Sequence, residues 1–248
     1  MPVVVPFVDT SVLIVELGMK GATGNVYAGL HDFGEMSLLL HFLRPEDVFV
    51  DVGANIGSYS ILAGGVVGAK TFAFEPIPRT FSWLIRNLRI NNVNDRVVAR
   101  QIAIGAETGE QRFSADRDTQ NSVVSDTYEG DTVLISSEKL DDAIGNARPA
   151  MIKIDVEGFE SAVIDGAVAT LAMPELSVVI IEGRSAHCEG ALRRAGFQEI
   201  NYDPFARCIS PAANDCTRFC NHIWVRNVDQ MESRCRDSRT YRVLEFDV

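Results

Sequence analysis

Between residues 48 and 195, apolar strand patterns alternate with helical ones, and that alternation leaves few folds open. VFVDV (48–52), KTFAFE (70–75), RVVARQIAI (96–104), MIKIDV (151–156) and LSVVIIEG (176–183) read as strands. Helical patterns lie between and after them, at 57–67, 78–92, 138–144, 159–171 and 186–195. In the second of these, Phe81, Leu84, Ile85 and Leu88 recur at helical spacing and define one apolar face. Strands joined through helices form a mostly parallel sheet covered on both sides. FQEINY (197–202) and NHIWVR (221–226) have no helix between them, so they are expected to close as an antiparallel hairpin around a long loop. The 248 residues suit one large α/β domain better than two small ones.

The flanks are less regular. A strand is expected at 12–17, and Gly18, Gly21, Gly24 and Gly29 mark loops and turns. Met36, Leu39, Leu40 and Leu43 then predict a lead-in helix that Pro45 ends. Weaker strand signals at 111–114 and 132–136 enclose a polar loop. Residues 228–248 are polar with a late apolar stretch, YRVLEF, that the pattern does not place. The expected division is an N-terminal extension with its lead-in helix (1–46), a central domain (47–227) and a C-terminal tail (228–248).

Within the fourth strand the stretch MIKIDVEGFE (151–160) carries Lys153, Asp155 and Glu157 in or just past an apolar run. Unpaired buried charge costs several kcal/mol or more, so the charges need partners or a ligand. Ligands of parallel sheets bind beyond the carboxyl ends of the strands. Asp155 and Glu157 stand at that end, with Asp51, Glu75 and Glu182 at the ends of neighbouring strands. Five carboxylates around one crevice suit a cationic ligand.

The loop after the first strand, DVGANIG (51–57), narrows the ligand. Gly53 permits a tight turn, and Gly57 allows close approach of a ligand or of a packed helix. A dinucleotide fingerprint needs a second glycine where Asn55 stands and a third one residue later than Gly57. A nicotinamide cofactor is therefore disfavoured. Asp51 leading Gly53, Ala54, Asn55 and Gly57 fits S-adenosylmethionine, which carries an ammonium and a sulfonium. Glu75 follows some twenty residues on, capped by Pro76, where a carboxylate can accept hydrogen bonds from two ribose hydroxyls.

VFVDVGANIGSYSILA (48–63), AFEP (73–76), IKIDVEGFESAVIDGA (152–167) and, more loosely, NHIWV (221–225) together resemble the FkbM family of S-adenosylmethionine-dependent methyltransferases. The resemblance runs from about Asn25 to Asn227. It implies a Rossmann-like class I methyltransferase fold, a seven-stranded mostly parallel sheet with an antiparallel last strand and helices on both faces. It also implies methyl transfer to a hydroxyl of a small molecule such as a sugar, a polyketide or a related natural product.

On this reading Asp51, Gly53, Ala54, Asn55, Gly57, Glu75, Pro76 and Ala103 hold the cofactor, with Glu35 and Tyr27 over its methionine end. Asp155 and Glu157 are the first candidates for positioning and proton removal, because an aliphatic hydroxyl is a poor nucleophile. Lys153 pairs with one of them or reaches the acceptor. His222 is the next candidate base, and His187 is another. Mg²⁺ on Asp155, Glu157 and Glu182 is an alternative and is not favoured. Asn121 and Ser122 are weaker candidates for ligand contact. Transfer to nitrogen and non-catalytic binding are the competing functions. The first is opposed by the lack of an aromatic N/D-P-P-Y/F motif after the fourth strand.

Charge and composition exclude several partners. Acidic residues outnumber basic ones, 34 to 23, giving a net charge of −11, which disfavours nucleic acid. No apolar run reaches the ~18–20 residues of a membrane span, and the N-terminus lacks a basic leader, so a cytoplasmic location is expected. An odd count of five cysteines reads as reduced thiols. Cys216, Cys220 and His222 offer a single C-x3-C pair, short of a four-ligand zinc site. Oligomeric state is left open, a dimer included.

Overall fold

A computed structural model describes residues 1–16, 19–114, 128, 130–212 and 220–248. The main sheet is built from β1 (Val48–Val52), β2 (Lys70–Phe74), β3 (Val97–Arg100), β4 (Met151–Ile154), β5 (Val178–Glu182), β6 (Gln198–Asp203), β7 (Cys208–Pro211) and β8 (Asn221–Val225). Their spatial order is β7-β6-β8-β5-β4-β1-β2-β3. β1 to β5 are mutually parallel, and β8 runs antiparallel between β5 and β6. The chain order reverses between β1 and β4, and a crevice opens at such a switch point.

The α/β class agrees with the sequence, but the strand count does not. Eight strands stand among the described residues instead of seven, and two of them, β7 and β8, oppose the rest. The extra strand, β7, lies in the stretch read as a long loop. It is an edge strand with half its residues exposed, so it shows no apolar alternation to read.

Other expectations shift for local reasons. RVVARQIAI divides: β3 stays in the main sheet, while Ala103–Ile104 joins a side sheet with Gly109–Ser114 and Thr132–Glu138. The helix expected at 57–67 begins as an α-turn, Ser58–Ile61, and continues as a π-helix, Leu62–Val67. The helix expected at 159–171 is two helices, Glu160–Asp165 and Val168–Ala172. Lys20–Ala28 is a helix where glycines suggested loops, because tertiary contacts of its buried Asn25 outweigh glycine's weak helix propensity.

The polar tail is packed into the core. Helix Val228–Arg236 lies against helix Phe33–Phe42. Met231, Cys235, Tyr241, Val243 and Val248 are buried in the same cluster as Leu38 and Leu39. Arg234 ties the two segments together, pairing with Asp47 and donating from Nε to the Phe42 carbonyl at 2.6 Å. The helix hides from sequence reading because it commits only Met231 and Cys235 to burial.

Alternation across the strands decides which side chains meet the crevice. Val50, Val52, Ile152, Ile154, Val179, Ile181 and Trp224 point to one face of the sheet and join one core cluster. Phe49, Met151, Val178, Ile180 and Val225 point to the other. Asp51, Lys153, Glu182 and Asn221 share this second face. Asp51 pairs in register with Lys153, and Glu182 with Asn221.

Candidate functional site

A cleft of about 350 Å³ opens over the carboxyl ends of β1, β2, β4 and β5, and Asn25, His31, Asp32 and Met36 from the N-terminal segment line its opposite wall. The loop after β1 forms its floor. The Gly53 and Ala54 N–H groups both donate to the Phe74 carbonyl at 2.9 Å. Gly53 has φ +81°, and a Cβ there would lie 1.8 Å from the Asp155 carbonyl oxygen. Only glycine lets the two strand ends approach so closely.

Glu75 is locked by this loop. Its Oε2 accepts from the Asn55 N–H and its Oε1 from the Ile77 N–H, each at 2.9 Å. Burial pushes its carboxyl up to about 7, against the pull of those two bonds. A carboxylate has about four acceptor sites, so two N–H donors leave capacity for ligand hydroxyls. Nearby, the buried Asn55 Oδ1 has no hydrogen-bond partner among the described residues.

Lys153 organises the centre. Its side chain is 3% exposed, and its Nζ lies 2.6 Å from Asp155 Oδ2 and 4.7 Å from the Tyr59 ring centroid. Burial opposes its charge, but Asp155 and Asp51 outweigh burial and raise its pKa above the ordinary lysine value. Asp51 is fully buried and accepts from Ser60 Oγ at 2.7 Å. Burial pushes Asp51 up to about 6, with the Lys153 ammonium pulling it down. Asp155 balances the other way: burial raises it, yet Lys153 and a hydrogen bond with Glu182 hold it below the usual range. Glu182 is pushed up to about 8, first by burial and then by the Asp155 carboxylate beside it.

Asp51, Gly53, Ala54, Asn55, Glu75, Pro76, Ala103, Lys153, Asp155 and Glu157 all line this cleft. Gly57 does not; a Cβ there would lie 2.6 Å from Leu84, so this glycine packs helix on helix. Glu35 stands behind the wall, where burial raises its pKa and Lys153 pulls it down. Tyr27 is 82% exposed and outside the cleft. His222 alternates with Asn221 and faces the other side of the sheet, its Nδ1 2.9 Å from Glu199 Oε1. His187 is a surface residue paired with Asp165. Asn121, Ser122 and Cys216 lie outside the described residues. Among the described residues no cluster of three or more His, Cys, Asp or Glu is arranged to hold a metal ion, and no helix is long and apolar enough to cross a membrane.

His31, Asp32, Tyr59 and Asn221 are among the lining residues that escaped sequence reading. Tyr59 and Asn221 sit inside stretches already singled out, SYS and NHIWV, and strand alternation was a usable signal for Asn221. His31 and Asp32 carry no motif; only the folding of the N-terminal segment over the strand ends brings them in.

Comparison with known proteins agrees with this architecture. The family described as the methyltransferase FkbM domain matches residues 51–201. The chain is 31% identical over 147 residues to the hexuronic acid methyltransferase AglP of Haloferax volcanii, a match covering 58% of this chain and 59% of that protein. It is 30% identical over 202 residues to the 31-O-demethyl-FK506 methyltransferase FkbM of Streptomyces tacrolimicus, covering 64% of this chain and 75% of that protein. In fold it is similar to the crystal structure of methyltransferase FkbM from Methylobacillus flagellatus, with a TM-score of 0.52 and 18% identity over 82% of this chain and 52% of that one. The chain therefore spans less than two thirds of the Haloferax and Methylobacillus proteins. The glycine loop and the charged end of β4 both fall within the matched span, and the chain belongs to the FkbM family of methyltransferases.

Proposed function

We propose that the protein is an S-adenosylmethionine-dependent O-methyltransferase acting on a hydroxyl of a small molecule, such as a sugar, a polyketide or a related natural product. The observation that carries this is Glu75, fixed by two backbone N–H groups from the glycine loop and the Pro76 turn, with acceptor capacity left over. The names of the relatives, one acting on a hexuronic acid and one on a demethylated FK506, support a small-molecule acceptor.

Glu75 would take the ribose hydroxyls, the Gly53–Asn55 loop the backbone of the cofactor, and Asp51 and Asp155 its cationic end. S-adenosylmethionine supplies, when bound, an electrophilic methyl group on sulfur. The residues of this chain then orient the acceptor in line with that methyl, exclude water and receive the hydroxyl proton. Lys153 keeps Asp51 and Asp155 charged inside the protein, so their field is fixed before ligand arrives. Residues 47–227 carry the cofactor half, while 1–46 and 228–248 complete the acceptor wall and its support.

Calorimetry with S-adenosylmethionine and S-adenosylhomocysteine tests the reading. Binding of both, together with transfer of labelled methyl to a hydroxylated metabolite, is the expected result. Binding with no transfer across a broad panel makes the protein a cofactor-binding module. Binding of neither sinks the proposal.

A further inference from the structure

The cleft holds a histidine that the fold has placed with care. His31 sits between helix Lys20–Ala28 and helix Phe33–Phe42 and lines the cleft wall facing Asp155. Three contacts define its pose. Its backbone N–H donates to Oδ1 of Asn25 at 2.9 Å; Asn25 is buried and its Nδ2 donates in turn to Ser58 Oγ at 3.0 Å, tying the turn to the helix after the glycine loop. Its Nδ1 lies 3.3 Å from Asp32 Oδ1, while Asp32 Oδ2 accepts from the Tyr59 hydroxyl at 2.9 Å. Its Cδ2 edge rests on Gly24, where an added Cβ would lie 2.0 Å away. With Nδ1 beside Asp32 and Cδ2 against Gly24, Nε2 is the ring nitrogen with no hydrogen-bond partner among the described residues.

We propose that His31 is the general base of the methyl transfer, with Asp32 as the positioning residue that holds its Nδ1–H tautomer. This rests on the proposed O-methyltransferase reading and names the residue that reading leaves open. The acceptor O–H bond breaks and its proton goes to Nε2. The oxygen bonds to the methyl carbon, and the carbon–sulfur bond breaks with its electron pair moving to sulfur. The His31 side chain is 56% exposed, so it returns the proton to water afterwards.

The other groups around the cleft serve less well as the base. Lys153 carries a proton already. Asp155 is bonded to that ammonium and held at low basicity. Glu182 is hydrogen-bonded to Asp155, and burial together with that carboxylate raises its pKa. Asp51 and Glu75 are buried and bonded to Ser60 and to the loop. Glu157, which lines the same cleft, is the rival that the experiment must separate.

Three measurements test the assignment. The ring tautomer of His31, read by ¹³C and ¹⁵N NMR of histidine-labelled protein, needs no acceptor; Nδ1–H is expected, with the preference lost in Asp32→Asn. Labelled methyl transfer is then followed with neutral methyl hexosides and methyl glucuronide as acceptors. His31→Ala is expected to lose about 10²–10⁴-fold in kcat, keep the S-adenosylmethionine affinity of the wild type, and regain part of the rate with added imidazole. Gly24→Ala, a change a helix tolerates, is expected to lower kcat by displacing the ring. An Nε2–H tautomer, full activity in His31→Ala, or a rate lost in Glu157→Gln while His31→Ala retains it overturns the assignment. Wild-type protein that binds S-adenosylmethionine but methylates none of a broad panel of hydroxylated metabolites overturns the proposed function itself, whatever the tautomer.

Discussion

Lys153 and Asp51 face each other in register across the parallel pair β4 and β1, both fully buried, and the Lys153 ammonium bonds onward to Asp155 at 2.6 Å. One cation thus serves two carboxylates from adjacent strands. Removing one partner of a buried pair costs about 3–5 kcal/mol, and less where solvent reaches a partner. Asp155 is 33% exposed, so Lys153→Met is expected to destabilise by about 2–4 kcal/mol. Urea unfolding measures this. A change below 0.5 kcal/mol, about the level of surface substitutions, would mean that the carboxylates have taken up protons and need no cation.

Glu75→Gln keeps the shape of the side chain and removes its charge. An amide oxygen can still accept one backbone N–H, but its NH₂ group meets the other N–H donor to donor. Turning an amide NH₂ toward the loop or the ribose also removes charge-assisted acceptor bonds worth about 1.5–3 kcal/mol, so affinity for S-adenosylmethionine should fall about 10- to 100-fold. Calorimetry reads this directly, and wild-type affinity in the variant would place the ribose elsewhere.

Gly53→Ala puts a methyl group 1.8 Å from the Asp155 carbonyl at a φ of +81°. The backbone conformation alone costs about 1–3 kcal/mol for a non-glycine residue, and the clash must in addition push β4 away from β1. The variant should lose stability and cofactor binding together. Normal binding with a normal melting temperature would show that the loop has another conformation.

How much of this was legible beforehand follows from where each signal lives. The parallel core strands β1, β2, β4 and β5 are buried on both faces and read as apolar runs, so the α/β class and the parallel character of the central sheet come through. Charges at the ends of those runs stand out against them, which is why Asp51, Glu75, Lys153 and Asp155 could be named. Edge strand β7 and helix Val228–Arg236 bury too few side chains to leave a pattern. His31 and Tyr27 show the other limit. They lie four residues apart in the same segment, yet one lines the cleft and the other is 82% exposed. Nothing local distinguishes them; the difference is made by Asn25, Gly24 and Asp32 after folding.

His222 illustrates how strand parity settles a role. Its neighbour Asn221 lines the cleft, so His222 points through the sheet to Glu199, which also bonds Arg184 at 2.7 Å. His222→Gln is accordingly expected to retain methyl transfer with unchanged pH dependence, while losing about 1–2 kcal/mol of stability through the weakened buried pairing. A variant that folds but transfers no methyl would return His222 to the chemistry.

The buried carboxyls also set how the ligand-free protein responds to pH. Glu75, Asp51 and Glu182 have pKa values raised to about 7, about 6 and about 8, from ordinary values of 4.5, 3.8 and 4.5. A raised acid binds its proton more tightly in the folded state than in the unfolded state. Between the two pKa values the folded protein holds more protons, so stability falls as pH rises. The contribution is complete below about pH 4 and lost by the time pH has passed through 6, 7 and 8 for Asp51, Glu75 and Glu182 in turn. Asp155 has the opposite sign, since its pKa is lowered from 3.8, and its contribution is lost only on acidification below that value. The melting temperature of the ligand-free protein should therefore decline from pH 5 to pH 8.5. Glu182→Gln should flatten the upper part of that decline, because it removes the group titrating highest. A melting temperature that rises steadily across this range, or a slope unchanged in Glu182→Gln, would show that these carboxyls are ionised in the folded protein at neutral pH.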